Sequence, residues 1–214
     1  MKIIKPYTEI LTNINSKELL EKIELCGRVC YKSENRIKED SAEKFIANLI
    51  KRRHEAVLEH ASITVKFVVD RGVSHEIVRH RLASYCQEST RYCNYTKEDF
   101  GTEITFIEPE YLKQGTDGWY YWKKVCQQAE WAYFKMLSWG CTPEEARAVL
   151  PNSLKTELIM TTNIREWRHF LKLRTDNAAH PQMKEVARPL LNKFKQLMPI
   201  LFDDITYESA DKKG

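Results

Sequence analysis

The sequence predicts one compact domain that mixes helices with a small number of strands. Two observations carry this. Apolar residues recur at helical spacing along several stretches, and among them Ile63, Val65, Phe67 and Val69 alternate with Thr64, Lys66 and Val68, as one buried strand face requires. The 214 residues, 43% hydrophobic and 30% charged, are enough for a core with a solvated surface. No internal repeat, low-complexity run or linker divides them, so residues 1–214 read as a single domain.

Lys2–Ile4 reads as a short opening strand. Lys17–Val29 is a predicted helix, with Leu19, Leu20, Ile23 and Val29 as its stripe, and the polar Ser33–Asp40 is a loop. Ser41–Lys51 is a second helix, with Ala42, Phe45, Ile46 and Leu49 on one side. After the strand, Arg71-Gly72 breaks the pattern. Ser74 is the predicted cap of a helix running through Ile77 and Val78 into Arg79, His80 and Arg81, and left around Ser84–Gln87. Short strands are expected at Arg91–Tyr95 and Ile104–Ile107. Asp117–Trp139 repeats Trp119, Trp122, Cys126, Ala129, Tyr133 and Met136 at helical spacing, a pattern typical of core or subunit interface. Thr142-Pro143-Glu144-Glu145 combines cap, first-turn proline and acidic third position; this helix holds Arg147 and ends before Pro151. Asn163 with Glu166 opens another, whose buried side is Trp167, Phe170 and Leu171, with Arg174 just beyond Leu173. Met183–Met198 forms the last helix, and the tail from Glu208 is polar and expected to fray.

Composition narrows the function. A net charge of +4 is too small to demand a nucleic-acid partner but suits an anionic small molecule. No secretory leader and no run of membrane-spanning length is visible, and the six cysteines form no Cys-x-x-Cys pair. They read as reduced thiols of a cytoplasmic protein, Cys26 and Cys30 as core fillers. The seven glycines are scattered, with neither a Gly-x-Gly-x-x-Gly nor a Gly-Lys-Ser/Thr loop, so phosphates must be met by arginines or helix ends. The histidine pairs His54/His60 and His75/His80 lack zinc spacing, and no metal site is expected.

The most informative stretch is Arg79–Tyr92: Arg-His-Arg, seven residues, then Ser89, Arg91 and Tyr92. Basic runs are usually solvated faces. Such a face does not require Ser84, Gln87, Ser89, Arg91 and Tyr92 in this order. Arginine forks match phosphate oxygens and carbonyl pairs, and the neighbouring hydroxyls and amides suit the edge of a base or a flavin ring.

This pattern is similar to the signature of the flavin-dependent thymidylate synthases. The resemblance runs from about Leu25 to Glu185, through His54–Ser62, Glu76–Tyr92, Arg147–Asn152 and Asn163–Arg174. It implies an α+β fold with a central mixed or antiparallel sheet flanked by helices, of the thymidylate synthase-complementing type. It implies methylation of dUMP to dTMP, with 5,10-methylenetetrahydrofolate as carbon donor and NADPH-reduced FAD as hydride donor. It also implies a homotetramer with active sites built from several subunits, and no nucleic-acid or membrane partner.

By position, Arg79, His80, Arg81, Asn163, Arg165 and His169 are expected to hold FAD. Gln87 is expected to touch the flavin, and Ala56 stands where the family often has Thr or Ser, so only its backbone can serve. Substrate contacts are expected from Glu76, Ile77, Val78, Arg79, Gln87, Glu88, Ser89, Thr90, Arg91, Arg147 and Arg174. Glu76 replaces the Gln of some members, and Gln87 the Glu of others. Arg174 is the expected catalytic residue: a uracil that loses its N3 proton is an anion that a fixed guanidinium stabilises, and arginine itself stays protonated. The Pro-Cys-His setting of the cysteine-dependent thymidylate synthases is absent from the sequence. Ser89 is expected to be a ligand rather than a nucleophile, since no base is assured beside it. Two other classes remain open from the residues alone. One is a nucleic-acid module using the basic segment and its tyrosines; the other is a metal-dependent hydrolase on His54, His60, His75 and His80.

Overall fold

The computed structural model of the protein describes residues 1–92, 95 and 103–207. Helices and strands are mixed. One sheet pairs β1 (Lys2–Ile4) with β5 (Thr105–Ile107) in parallel, with Lys2 opposite Thr105 and Ile4 opposite Ile107. A second, antiparallel sheet has the order β2-β3-β6-β4, made of Tyr7–Ile10, Ser62–Asp70, Lys155–Asn163 and Ala83–Gln87. Two compact units emerge. The first comprises Met1–Thr8, Lys66–Arg79 and Tyr85–Ile159; the second comprises Glu9–Val65, His80–Ser84 and the chain from Met160 onward. Among the described residues, no helix is long and apolar enough to cross a membrane.

In the first unit, α3 (Arg71–Ile77) follows β3 directly. Its cap is Asp70, whose Oδ1 accepts from the Val73 N–H at 2.9 Å. The expected cap, Ser74, lies buried inside the helix and donates to the Arg71 carbonyl. Nor does the helix continue into Arg-His-Arg. It ends at Ile77, the Arg79 N–H closes back on the Glu76 carbonyl, and residues 83–87 are extended in β4. A strand that must join a ladder cannot keep helical torsions, so the chain turns between the two. α4 (Asp117–Ser138) buries Cys126, Ala129 and Tyr133, and the aromatic stripe is core: Trp122 and Met136 pack on Ile104, Phe106, Tyr133 and Leu154. Tyr120, Tyr121 and Trp131 are exposed on it. The capping box of α5 (Pro143–Ala146) is complete, with Thr142 and Glu145 bonded reciprocally, and a 3-10 turn at Arg147–Val149 follows. β5 lies within the strand expected at Ile104–Ile107. Of the strand expected at Arg91–Tyr95, Arg91 and Tyr92 are in a turn, and residues 93 and 94 lie outside the described residues.

In the second unit, α1 (Ser16–Val29) packs on α2 (Ser41–Lys51). Gly27 makes the approach possible: a Cβ there would lie 2.6 Å from the Phe45 ring. Buried Glu24 joins the helices, bonding Arg28 and the Ser41 hydroxyl. A 3-10 turn, Glu55–His60, leads towards β3. α6 (Ile164–Arg174) and α7 (Pro181–Leu197) close a core of Trp167, Phe170, Phe194 and Phe202, the last on α8 (Pro199–Phe202). The fraying expected of the tail falls on residues outside the described ones.

Candidate active site

The second unit places its candidate site residues with α6. Asn163 caps this helix, accepting from the Glu166 N–H at 2.9 Å. The Glu166 carboxylate is turned to His80, with Oε1 2.9 Å from Nδ1. On the other edge of the ring, Arg174 Nε–H donates to Nε2 at 3.1 Å. A nitrogen that accepts carries no proton, so His80 is the neutral Nδ1–H tautomer donating to Glu166. The ring is 5% exposed and meets the Phe170 ring edge-on at 4.8 Å, with the exposed His169 ring 5.5 Å away. Burial pushes the proton affinity of His80 below its ordinary value and the Arg174 charge adds to this, against the pull of Glu166. Glu166 escaped the sequence reading, in which it serves only as a capping residue.

A cavity of about 460 Å³ opens beside this group, lined among others by Glu59, Leu82, Asn163, Arg165 and His169. Arg165 is ion-paired to Glu59 at 2.6 Å. Ala56 is exposed on the 3-10 turn that supplies Glu55 and Glu59, and Arg81 is exposed beside Leu82. Of the expected flavin residues, His80, Asn163, Arg165 and His169 are thus gathered around α6.

The first unit makes a separate corner from the Ser89–Tyr92 turn and the 3-10 turn after α5. Arg147 Nη1 donates to the Thr90 hydroxyl at 3.1 Å, and Arg91 lies 3.3 Å from Glu144. Ser89 Oγ accepts from the Arg91 N–H at 3.3 Å. Two guanidinium groups, a hydroxyl and an exposed Tyr92 therefore share one corner, a donor set suited to a phosphate. Gln87 is fixed from below, its Nε2 donating to the buried Ser74 and Thr156 hydroxyls at 3.0 and 3.2 Å. Other expected substrate residues are engaged elsewhere. Ile77 is fully buried, so only its backbone can reach a ligand, and Val78 and Arg79 are exposed where α3 ends. Glu76 is half-buried on α3. The Glu88 carboxylate is bonded to Lys155 at 2.9 Å. Burial pulls Lys155 down, but Glu88 and Glu157 outweigh it and hold the ammonium above its usual range.

The histidine pairs weighed from the sequence form no ligand group among the described residues. His80, Glu166 and His169 do bring ligating atoms within 4.8 Å of one another. Both His80 nitrogens are taken there, one of them by a cation, so this group is a poor metal cage.

Residues 11–200 match the family profile described as thymidylate synthase complementing protein. The chain is 35% identical over 185 residues to the flavin-dependent thymidylate synthase of Pyrococcus furiosus, covering 83% of this chain and 75% of that protein. With the flavin-dependent thymidylate synthase of Geobacter sulfurreducens it is 31% identical over 189 residues, 85% of this chain and 80% of that one. Among solved structures it is similar to the UMP/dUMP methylase PolB from Streptomyces cacaoi, crystallised with 5-Br dUMP. That match has a TM-score of 0.77 at 25% identity, over 95% and 96% of the two chains. A fold that aligns over 95% of its length with a UMP/dUMP methylase defines a class of enzyme. The chain belongs to the thymidylate synthase complementing protein family.

Proposed function

We propose that this protein methylates dUMP to dTMP as a flavin-dependent thymidylate synthase, using 5,10-methylenetetrahydrofolate as carbon donor and NADPH as reductant, in the cytoplasm. The observation that carries the mechanism is the Arg174 guanidinium, held by Nε on a buried neutral imidazole. A preorganised cation stabilises charge as it develops, without reorganising. Directed at the uracil carbonyls, Arg174 favours the N3-deprotonated ring and makes C5 nucleophilic toward the folate carbon. By their chemistry Ser89, Arg91 and Arg147 suit a phosphate, and Gln87 suits the edge of a base. No enzyme nucleophile is needed. Cys126 is a poor candidate for one, because burial pushes its thiol up.

The residues around α6 fit part of a flavin dinucleotide. Asn163, Arg165 and His169 line a cavity whose size lies in the usual range for ligand sites, and they supply the amide, guanidinium and imidazole that a pyrophosphate or ring edge requires. Reduced FAD, when bound, supplies the hydride. The exposed aromatic residues of α4, Tyr120, Tyr121 and Trp131, favour assembly with further copies into a homotetramer.

The test is a visible spectrum of FAD-loaded protein, followed by NADPH with and without dUMP, then dTMP formation with the folate present. The wild type should be yellow, bleach on reduction and make dTMP. Arg174→Ala should remain a folded flavoprotein that makes none. A protein that retains no flavin after FAD is added back ends this reading, and near-normal turnover in Arg174→Ala removes that residue from the chemistry.

A further inference from the structure

We propose that Glu166 is a positioning residue for Arg174, acting through the His80 ring. The inference rests on the reading in which Arg174 carries the charge that activates the uracil. Glu166, Phe170 and Arg174 are four residues apart along α6 and share one helix face. The imidazole lies along that face and touches all three: a hydrogen bond to Glu166, an edge contact with Phe170, a hydrogen bond from Arg174.

The carboxylate decides what the far side of the ring can do. Glu166 is 7% exposed and accepts from Nδ1–H, which leaves the lone pair on Nε2. In the other tautomer Nε2–H would face Arg174 Nε–H, donor against donor, and the anchor would be lost. The guanidinium is planar, so a bond at Nε sets the plane of the fork and the direction of both Nη groups. Burial of the ring keeps it neutral, which the anchor also requires. A carboxylate that never meets the nucleotide thus controls where the cation points.

The experiment combines solid-state 15N NMR of histidine-labelled protein with steady-state kinetics. His80 is assigned among the six histidines by the signal missing from His80→Gln. Wild-type His80 should show the Nδ1–H tautomer. Glu166→Ala should lose it and lower kcat about 10–100-fold, the size of effect that groups orienting a functional side chain commonly have. Flavin content and KM for dUMP should change little. Glu166→Gln, whose amide oxygen can still accept from Nδ1–H, should recover most of both signals. An Nε2–H or doubly protonated ring in the wild type overturns the proposal, and this holds even if Glu166→Ala fails to fold. So does a Glu166→Ala enzyme with normal kcat beside an inactive Arg174→Ala. Normal turnover in Arg174→Ala itself sinks the functional reading instead, and the tautomer spectrum still decides the anchor.

Discussion

Arg168 offers a quantitative test of how α6 is held. Its side chain is 1% exposed and the guanidinium is bound from three directions. Nη1 and Nη2 each donate to Asp204 at 2.7 Å, Nη1 also reaches the Leu201 carbonyl, and Glu55 lies 3.6 Å from Nη2. Breaking a buried pair from one side costs about 3–5 kcal/mol. Arg168→Met keeps the apolar stem and removes the fork. The carboxylate it abandons is 46% exposed and can be taken up by water, so the cost belongs near the lower end, about 3 kcal/mol. Asp204→Ala does the reverse: it strands a buried cation with only the more distant Glu55 as counter-charge, and should cost more, about 4–5 kcal/mol. For a chain of this length each kcal/mol moves Tm by about 2–4 °C, so the first variant should melt about 6–12 °C below wild type. Scanning calorimetry of the FAD-loaded proteins measures both. An Arg168→Met shift under about 3 °C, or a milder effect from Asp204→Ala than from Arg168→Met, refutes the reasoning.

Other outcomes follow from the same contacts. Ser89→Ala removes one hydroxyl from the corner proposed for the phosphate and the acceptor of the Arg91 N–H; dUMP should bind about fivefold more weakly by calorimetry while turnover at saturation persists. Abolished chemistry with intact binding would assign Ser89 a different role. Gly27→Val drives a side chain into the Phe45 ring and should cost about 1–3 kcal/mol in urea denaturation, whereas an unchanged midpoint would mean that α1 and α2 separate freely. Acid should weaken the fold through His80, which faces Glu166, Arg174 and His169. Burial lowers its proton affinity in the folded state, so the unfolded chain gains the proton first as pH falls through the ordinary value of 6.5. The stabilisation is whole above that value, drains away below it, and stops falling once the pH passes beneath the folded pKa. His80→Gln should accordingly flatten Tm against pH between about 7 and 5, and an unchanged slope would show that His80 contributes none of it.

Local signals proved readable where local physics decides. The capping box at Thr142 and Glu145, the stripe of α4 and the alternation from Ile63 to Val69 each exist within one element. β6 was not readable because Thr156 and Thr162 occupy two of its buried positions beside Leu158 and Met160, so its alternation looks half polar. β2 has only four residues, too few for a period to register. The end of α3 depends on β4 joining the ladder, which no window around Arg79 contains. Within the site, the residue types of the corner and of α6 stood out in sequence, but their partners did not. Glu166 is 86 residues from His80, and Lys155 is 67 from Glu88. A glutamate three residues after a capping asparagine has a sufficient local explanation, and that explanation conceals its tertiary one.

Both compact units are assembled from separated stretches of chain, which fixes an order of birth on the ribosome. Every part of the first unit has been synthesised once Ile159 is made, including β5, for which β1 has waited since the start. The second unit holds residues from Glu9 onward, yet needs α6 and α7. At about 5–20 residues per second, several seconds separate the last residue of the first unit from Asp204, which anchors α6. Through that interval α2 lacks α8, on which it also packs, and the ring of His80 lacks Glu166 and Phe170. A nascent chain whose Ile159 has just cleared the exit tunnel therefore carries every part of the first unit, while α7 and Asp204 of the second are still to come into place.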